Sequence, residues 1–93
     1  MRERFVLRLY VAGAAPMSAR AVETLRNLCD DHLGARYDLE VIDVYQQPQL
    51  ALDGHVDAIP ALVKLAPLPV RRILGDLSDT DHVLRELDVK PGS

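Results

Sequence analysis

The chain opens on an alternating stretch. Between Phe5 and Ala12, the apolar residues Leu7, Leu9 and Val11 are interleaved with Arg8 and Tyr10. That period of two predicts a half-buried strand. Gly13-Ala14-Ala15-Pro16 predicts a turn. From Met17 to Leu33 the period lengthens. Ala21, Val22, Leu25, Leu28, Cys29 and Leu33 recur at helical spacing. Pro16 suits the start of that helix and Gly34 its end. Tyr37 to Val44 predicts a second strand, built on Leu39, Val41 and Val44 with the apolar neighbour Ile42. A strand, a helical crossover and another strand make a right-handed βαβ unit, hence a parallel pair.

The second half supports two patterns. In one, Pro48–Asp53 is a short helix stopped by Gly54. Ala61–Leu65 follows Ile59-Pro60 as a strand, Ala66-Pro67-Leu68-Pro69 breaks the chain, and Val70–Leu74 returns as the other half of a hairpin. Ser78 then caps a last helix, with Asp79 and Asp81 in its first turn and Val83, Leu84 and Leu87 as its apolar face. In the other pattern, Val70, Ile73, Leu74 and Leu77 form a helical stripe, and Leu87-Asp88-Val89-Lys90 alternates like a strand. Short apolar runs are not resolved by period alone. The first pattern is an α/β fold of order βαβαββα, a thioredoxin-like topology. In that topology the X-Pro bond entering the third strand is commonly cis, which makes Pro60 the cis-proline candidate.

Bulk properties narrow the function. The 93 residues suit one domain over 1–93, with residues 1–4 and 90–93 as frayed ends. Hydrophobic content of 48% supports a core. A net charge of −3, with no basic run longer than Arg71-Arg72, speaks against nucleic-acid binding. No apolar stretch reaches the ~20 residues of a membrane span, and the start lacks a signal-peptide core. With one cysteine there is no internal disulfide, and a cytoplasmic location is expected.

Candidate chemistry is sparse. Disulfide exchange on this topology needs a CxxC at the start of the first helix, where the chain reads Ala14-Ala15-Pro16-Met17-Ser18. Cys29 lies on the apolar stripe as a core cysteine. His32, His55 and His82 show no metal-ligand spacing. Asp76, Asp79, Asp81 and Asp88 do not match a calcium loop. No phosphate-binding glycine motif is present. No cofactor and no enzymatic activity are expected.

Several segments resemble the KaiB family of circadian-clock proteins. They are Leu9-Tyr10-Val11-Ala12-Gly13 with Pro16, Val41-Ile42-Asp43-Val44, Pro48-Gln49-Leu50-Ala51 and Ala58-Ile59-Pro60-Ala61-Leu62. The most specific runs from Pro69 through Arg71-Arg72 and Gly75-Asp76 to Asp79. The resemblance covers residues 5–88 and implies two folds for one sequence. One is a self-associating ground fold of order βαββααβ, often a homotetramer. The other is thioredoxin-like and binds the ATPase KaiC, competes with a clock output histidine kinase and captures KaiA. The resemblance further implies partner contacts at Arg20, His55, Lys64, Arg71 and Arg72, and it places the fold switch at Phe5, Pro60, Pro67, Pro69, Glu86 and Asp88. Phe5 stands where tyrosine is common, His55 where lysine is, Leu68 within what is often a three-proline run, and Glu86 where glycine is frequent. Phe5 and Glu86 favour the thioredoxin-like arrangement in this chain. Outside a clock, the same scaffold would serve as a binding module in stress or kinase signalling; the remaining alternative is a thiol redox protein, which the missing CxxC disfavours.

Overall fold

Leu7, Leu9 and Val11 share one face of the first strand, and all are buried. Tyr10 faces the opposite way and is also buried, so this strand is covered on both sides. The computed structural model describes residues 4–13, 15–54, 56, 59–74, 77 and 79–87. Its strands are β1 (Phe5–Val11), β2 (Tyr37–Asp43), β3 (Ala61–Ala66) and β4 (Arg71–Leu74). Its helices are α1 (Pro16–Leu33), α2 (Pro48–Asp53) and α3 (Thr80–Glu86). The sheet order is β2-β1-β3-β4, with β1 and β2 parallel and the other neighbours antiparallel. The parallel pair is the one the βαβ pattern predicts, and the element order is the thioredoxin-like βαβαββα.

Each face has its own core. On one, Phe5, Leu7, Leu9 and Val11 pack with Leu25, Leu28, Cys29 and Leu33 of α1 and with Val83, Leu84 and Leu87 at α3. On the other, Tyr10, Ile42, Ala61 and Val63 pack with Leu50 and Ala51 of α2. Residues paired across strands project to the same side. Leu9 lies opposite Leu62, and Leu62 lies opposite Ile73, so one apolar row crosses three strands beneath α1 and α3.

The helix ends follow from local chemistry. Pro16 occupies the first turn of α1, where its missing N–H costs nothing. Gly34 ends α1 at φ +59°, a conformation costly to any residue with a Cβ, and its N–H donates to the Cys29 carbonyl at 3.1 Å. The Tyr37 hydroxyl donates to Asp30 Oδ1 at 2.7 Å, tying the start of β2 back to α1. The cap of α3 differs from expectation. Asp79, expected in the first turn, is the cap, and its Oδ1 accepts from the His82 N–H at 3.1 Å. A carboxylate there satisfies a free N–H and also complements the helix dipole. Ser78, expected as the cap, lies outside the described residues.

Both expected readings of the second half meet a definite structure. Arg71–Leu74 is strand, not helix, and Thr80–Glu86 is helix. Of the alternating stretch Leu87-Asp88-Val89-Lys90 only Leu87 is described, in the turn after α3, and residues 88–90 lie outside the described residues. Among the fold-switch residues, Phe5 and Pro60 are buried, Pro67 and Glu86 are half-buried, and Pro69 is exposed. Asp88 lies outside the described residues. The Ile59-Pro60, Ala66-Pro67 and Leu68-Pro69 peptides are cis.

Gly54, just after α2, is required for a different reason from Gly34. A Cβ there would stand 2.6 Å from the Tyr10 hydroxyl and 3.3 Å from the Leu50 carbonyl oxygen. Tyr10 is 1% exposed, so its ring has little room to give way. Gly54→Ala is therefore expected to destabilise the domain by about 1–3 kcal/mol. A urea midpoint equal to that of the parent chain would show that α2 lifts off the sheet at no cost.

Candidate functional site

Burial and register divide the expected contact residues into separate groups. Arg20 is exposed on α1. It borders a cavity of about 360 Å³ that is also lined by Pro16, Met17, Thr24, Pro60 and Leu77. Arg71 and Arg72 are both exposed on β4. Adjacent strand residues project to opposite faces, so these two arginines do not form one patch. Arg72 lies opposite Val63 on the α2 side, and Arg71 lies opposite Lys64 on the α1 and α3 side.

Lys64 is not where a contact residue is expected. It is 1% exposed, opposite Leu7 on one neighbouring strand and Arg71 on the other. The cause is its strand. β3 lies between β1 and β4 under helices on both faces, and Ala61 through Lys64 are all buried. In this arrangement the Lys64 side chain presents no surface to a partner. His55 lies outside the described residues.

The α2 side of the sheet carries polar groups that residue types alone did not single out. Arg8 Nε donates to Glu40 Oε1 at 3.1 Å from the adjacent strand. The Tyr10 hydroxyl and Glu40 beside it hold the Arg8 guanidinium above its ordinary range. At the start of the same edge, Arg4 Nε and Nη2 reach the two Asp38 carboxylate oxygens at 2.7 and 2.6 Å. That fork keeps Asp38 below the usual carboxylate range. Both pairs are exposed, so they orient the edge more than they stabilise it. The parallel register sets Arg8 opposite Glu40, but Asp38 lies opposite Val6, so no register pairing points to Arg4 and Asp38. Several large apolar side chains are also exposed, among them Met17, Tyr45, Leu68, Val70 and Leu74.

The one cysteine is unsuited to thiol chemistry. Cys29 is fully buried on α1 within the main core. Burial first, and the nearby Asp30 carboxylate second, push its thiol up to about 12. The thiolate is the reactive species, so Cys29 is expected to react with a disulfide reagent at pH 8 at least ~100-fold more slowly than a free thiol. Denaturant should abolish the difference, and rapid labelling of the folded chain would contradict the buried placement. The raised value also has a sign for stability. The folded chain keeps its thiol proton while the unfolded chain loses it above pH 9, so this contribution is lost as pH rises from 9 towards about 12. Among the described residues no cluster of histidine, cysteine, aspartate or glutamate is arranged to hold a metal ion, and no helix is long and apolar enough to cross a membrane.

This is a thioredoxin-like domain with an alanine- and proline-containing turn where redox members carry paired cysteines. The KaiB domain family model matches residues 8–89, and the chain belongs to the KaiB family. A circadian clock oscillator protein KaiB from a Synechococcus strain is 51% identical over 88 residues, covering 95% of this chain and 80% of that protein. The protein of the same description from Synechococcus elongatus is 50% identical, covering 98% of this chain and 89% of the relative. Membership places the chain among clock regulatory proteins. Among solved structures, the N-terminal domain of Synechococcus elongatus SasA matches with a TM-score of 0.77 at 28% identity, covering 100% of this chain and 91% of that one. Chloroplastic thioredoxin z matches with a TM-score of 0.72 at 17% identity over 94% of this chain and 80% of that one, a likeness of fold alone.

Proposed function

We propose that this chain is a fold-switching regulator that binds a KaiC-type ATPase in the cytoplasm and has no catalysis of its own. One observation carries the reading. A member of the KaiB family shares the fold of the N-terminal domain of SasA. Two proteins that present one shape are suited to compete for one partner surface. Arg20, Arg71 and Arg72, which are exposed, are the contact residues in this reading, and the partner face is acidic. A KaiA-like protein or a histidine kinase is a further partner, captured or displaced once the complex forms. The mechanism is population shift: the ATPase binds the thioredoxin-like form and draws the chain out of a self-associating ground form.

The direct test is titration of the purified chain into a KaiC-type ATPase from the same cell, followed by competition with a SasA-type domain. Saturable binding that the domain displaces is the expected result. Absence of binding, with the chain folded by circular dichroism, would leave a thioredoxin-like scaffold for some other partner.

Glu86 tests the switching part of the reading. It is the last residue of α3, where glutamate is a better helix former than glycine by about 0.5–1 kcal/mol. Glu86→Gly is expected to raise the population of the other arrangement several-fold. The checks are loss of helical chemical shifts over Thr80–Glu86 and a rise in mass by light scattering. Retention of both signals would remove Glu86 from the switch.

A further inference from the structure

β4 is the free edge of the sheet next to β3, and among the described residues no strand pairs with its outer side. An unpaired edge exposes a row of backbone N–H and C=O groups and templates pairing with another chain. Its side chains sort by alternation. Val70, just before the strand, projects with Arg72 and Leu74 to the α2 side. Arg71 and Ile73 project to the other side, and of all five only Ile73 is buried. Val70 is 48% exposed and Leu74 58%, so Arg72 stands between two uncovered apolar side chains.

Those features choose among occupants. A second β4 laid against the first would bring arginines near arginines, and like charges directly opposite one another destabilise a strand pair. The other free edge, β2, bears Asp38 and Glu40, which repel an acidic segment. We infer that the outer edge of β4 takes an extended acidic segment of a protein partner by strand addition. The segment has the pattern apolar, any, acidic, acidic, apolar, set opposite Leu74, Ile73, Arg72, Arg71 and Val70. Main-chain hydrogen bonds supply binding, and the two carboxylates, one on each face, supply register and selectivity. The inference rests on the reading that Arg71 and Arg72 meet an acidic partner, and it adds how they do so.

The probe is a blocked synthetic peptide, Thr-Val-Thr-Glu-Glu-Val-Thr, titrated into the ¹⁵N-labelled chain. Amide shift changes should centre on Val70 to Leu74. Binding should fall at least tenfold when the two glutamates become lysines. N-methylation of alternate peptide amides should abolish binding in one phase and spare it in the other, because only one edge of an added strand pairs. The inference is overturned if shifts centre on β2 or on the cavity beside Arg20, if none occur at millimolar peptide, or if both N-methyl phases bind alike. A parallel titration of the KaiC-type ATPase with the Arg71→Glu chain separates the two claims. Weakened ATPase binding with a silent β4 sinks strand addition and keeps the partner. ATPase binding indifferent to the reversal sinks the partner reading, and the peptide shifts then decide strand addition alone.

Discussion

Leu87→Ala is expected to cost the fold about 2–5 kcal/mol, enough to remove much of its stability. A domain of this length has about 5–15 kcal/mol in total. Leu87 follows α3 and has no exposed surface. It packs in the core formed with Val83, Leu84, Ile73, Leu77 and Leu9. Truncation removes the transfer energy of the lost atoms and leaves a void, and a close-packed interior relaxes only in part. The side chain also closes α3 onto the sheet, so its loss should appear first there. The check is urea unfolding followed by circular dichroism, with chemical shifts over Thr80–Glu86 recorded in parallel. Leu52→Ala is the control. Leu52 is 70% exposed on α2, and its loss should stay within about 0.5 kcal/mol. Equal unfolding midpoints for the two variants would mean that α3 does not depend on Leu87.

What could be read from the sequence, and what could not, follows from contrast in burial. α1 was legible because its buried positions Ala21, Leu25, Leu28, Cys29 and Leu33 form one stripe against exposed neighbours, with Pro16 and Gly34 marking its ends. α2 was legible from Pro48 and Gly54. β4 was not, because an edge strand of four residues buries only Ile73, and one buried residue defines no period. That is why Val70 to Leu77 also fitted a helical stripe. The cap of α3 slipped by one because Ser78 and Asp79 are both good capping residues and stand side by side. Lys64 was misplaced for the opposite reason. A lysine reads as surface, but β3 is an inner strand covered on both faces, and the helices bury what the residue type would expose. Of the candidate site, the arginines were legible by type and resemblance. The apolar flanks of Arg72 emerge only once β4 is known to be a strand.

Arg71→Glu is expected to weaken binding to a KaiC-type ATPase by roughly 10- to 100-fold while leaving the chain folded. Reversal both removes an attraction to an acidic face and introduces a repulsion. Two unit charges about 4 Å apart near a protein surface interact by up to ~4 kcal/mol, and partial exposure reduces the net effect to about 1.4–2.7 kcal/mol. The fold should tolerate the change, because Arg71 is exposed and lies opposite Lys64 across the strand pair. Salt gives the prediction a second readout. Exposed charges are screened over about 8 Å at physiological ionic strength and about 3 Å at 1 M, so the gap between parent and variant should shrink as salt rises. Arg72→Glu is informative beside it, since Arg72 projects to the opposite face of β4. A partner that covers a single face will be sensitive to one reversal, and a segment added along the edge will be sensitive to both. Isothermal titration at low and high salt reads these outcomes. Unchanged affinity in the Arg71→Glu chain at low salt, with circular dichroism matching the parent, would take Arg71 out of the partner surface.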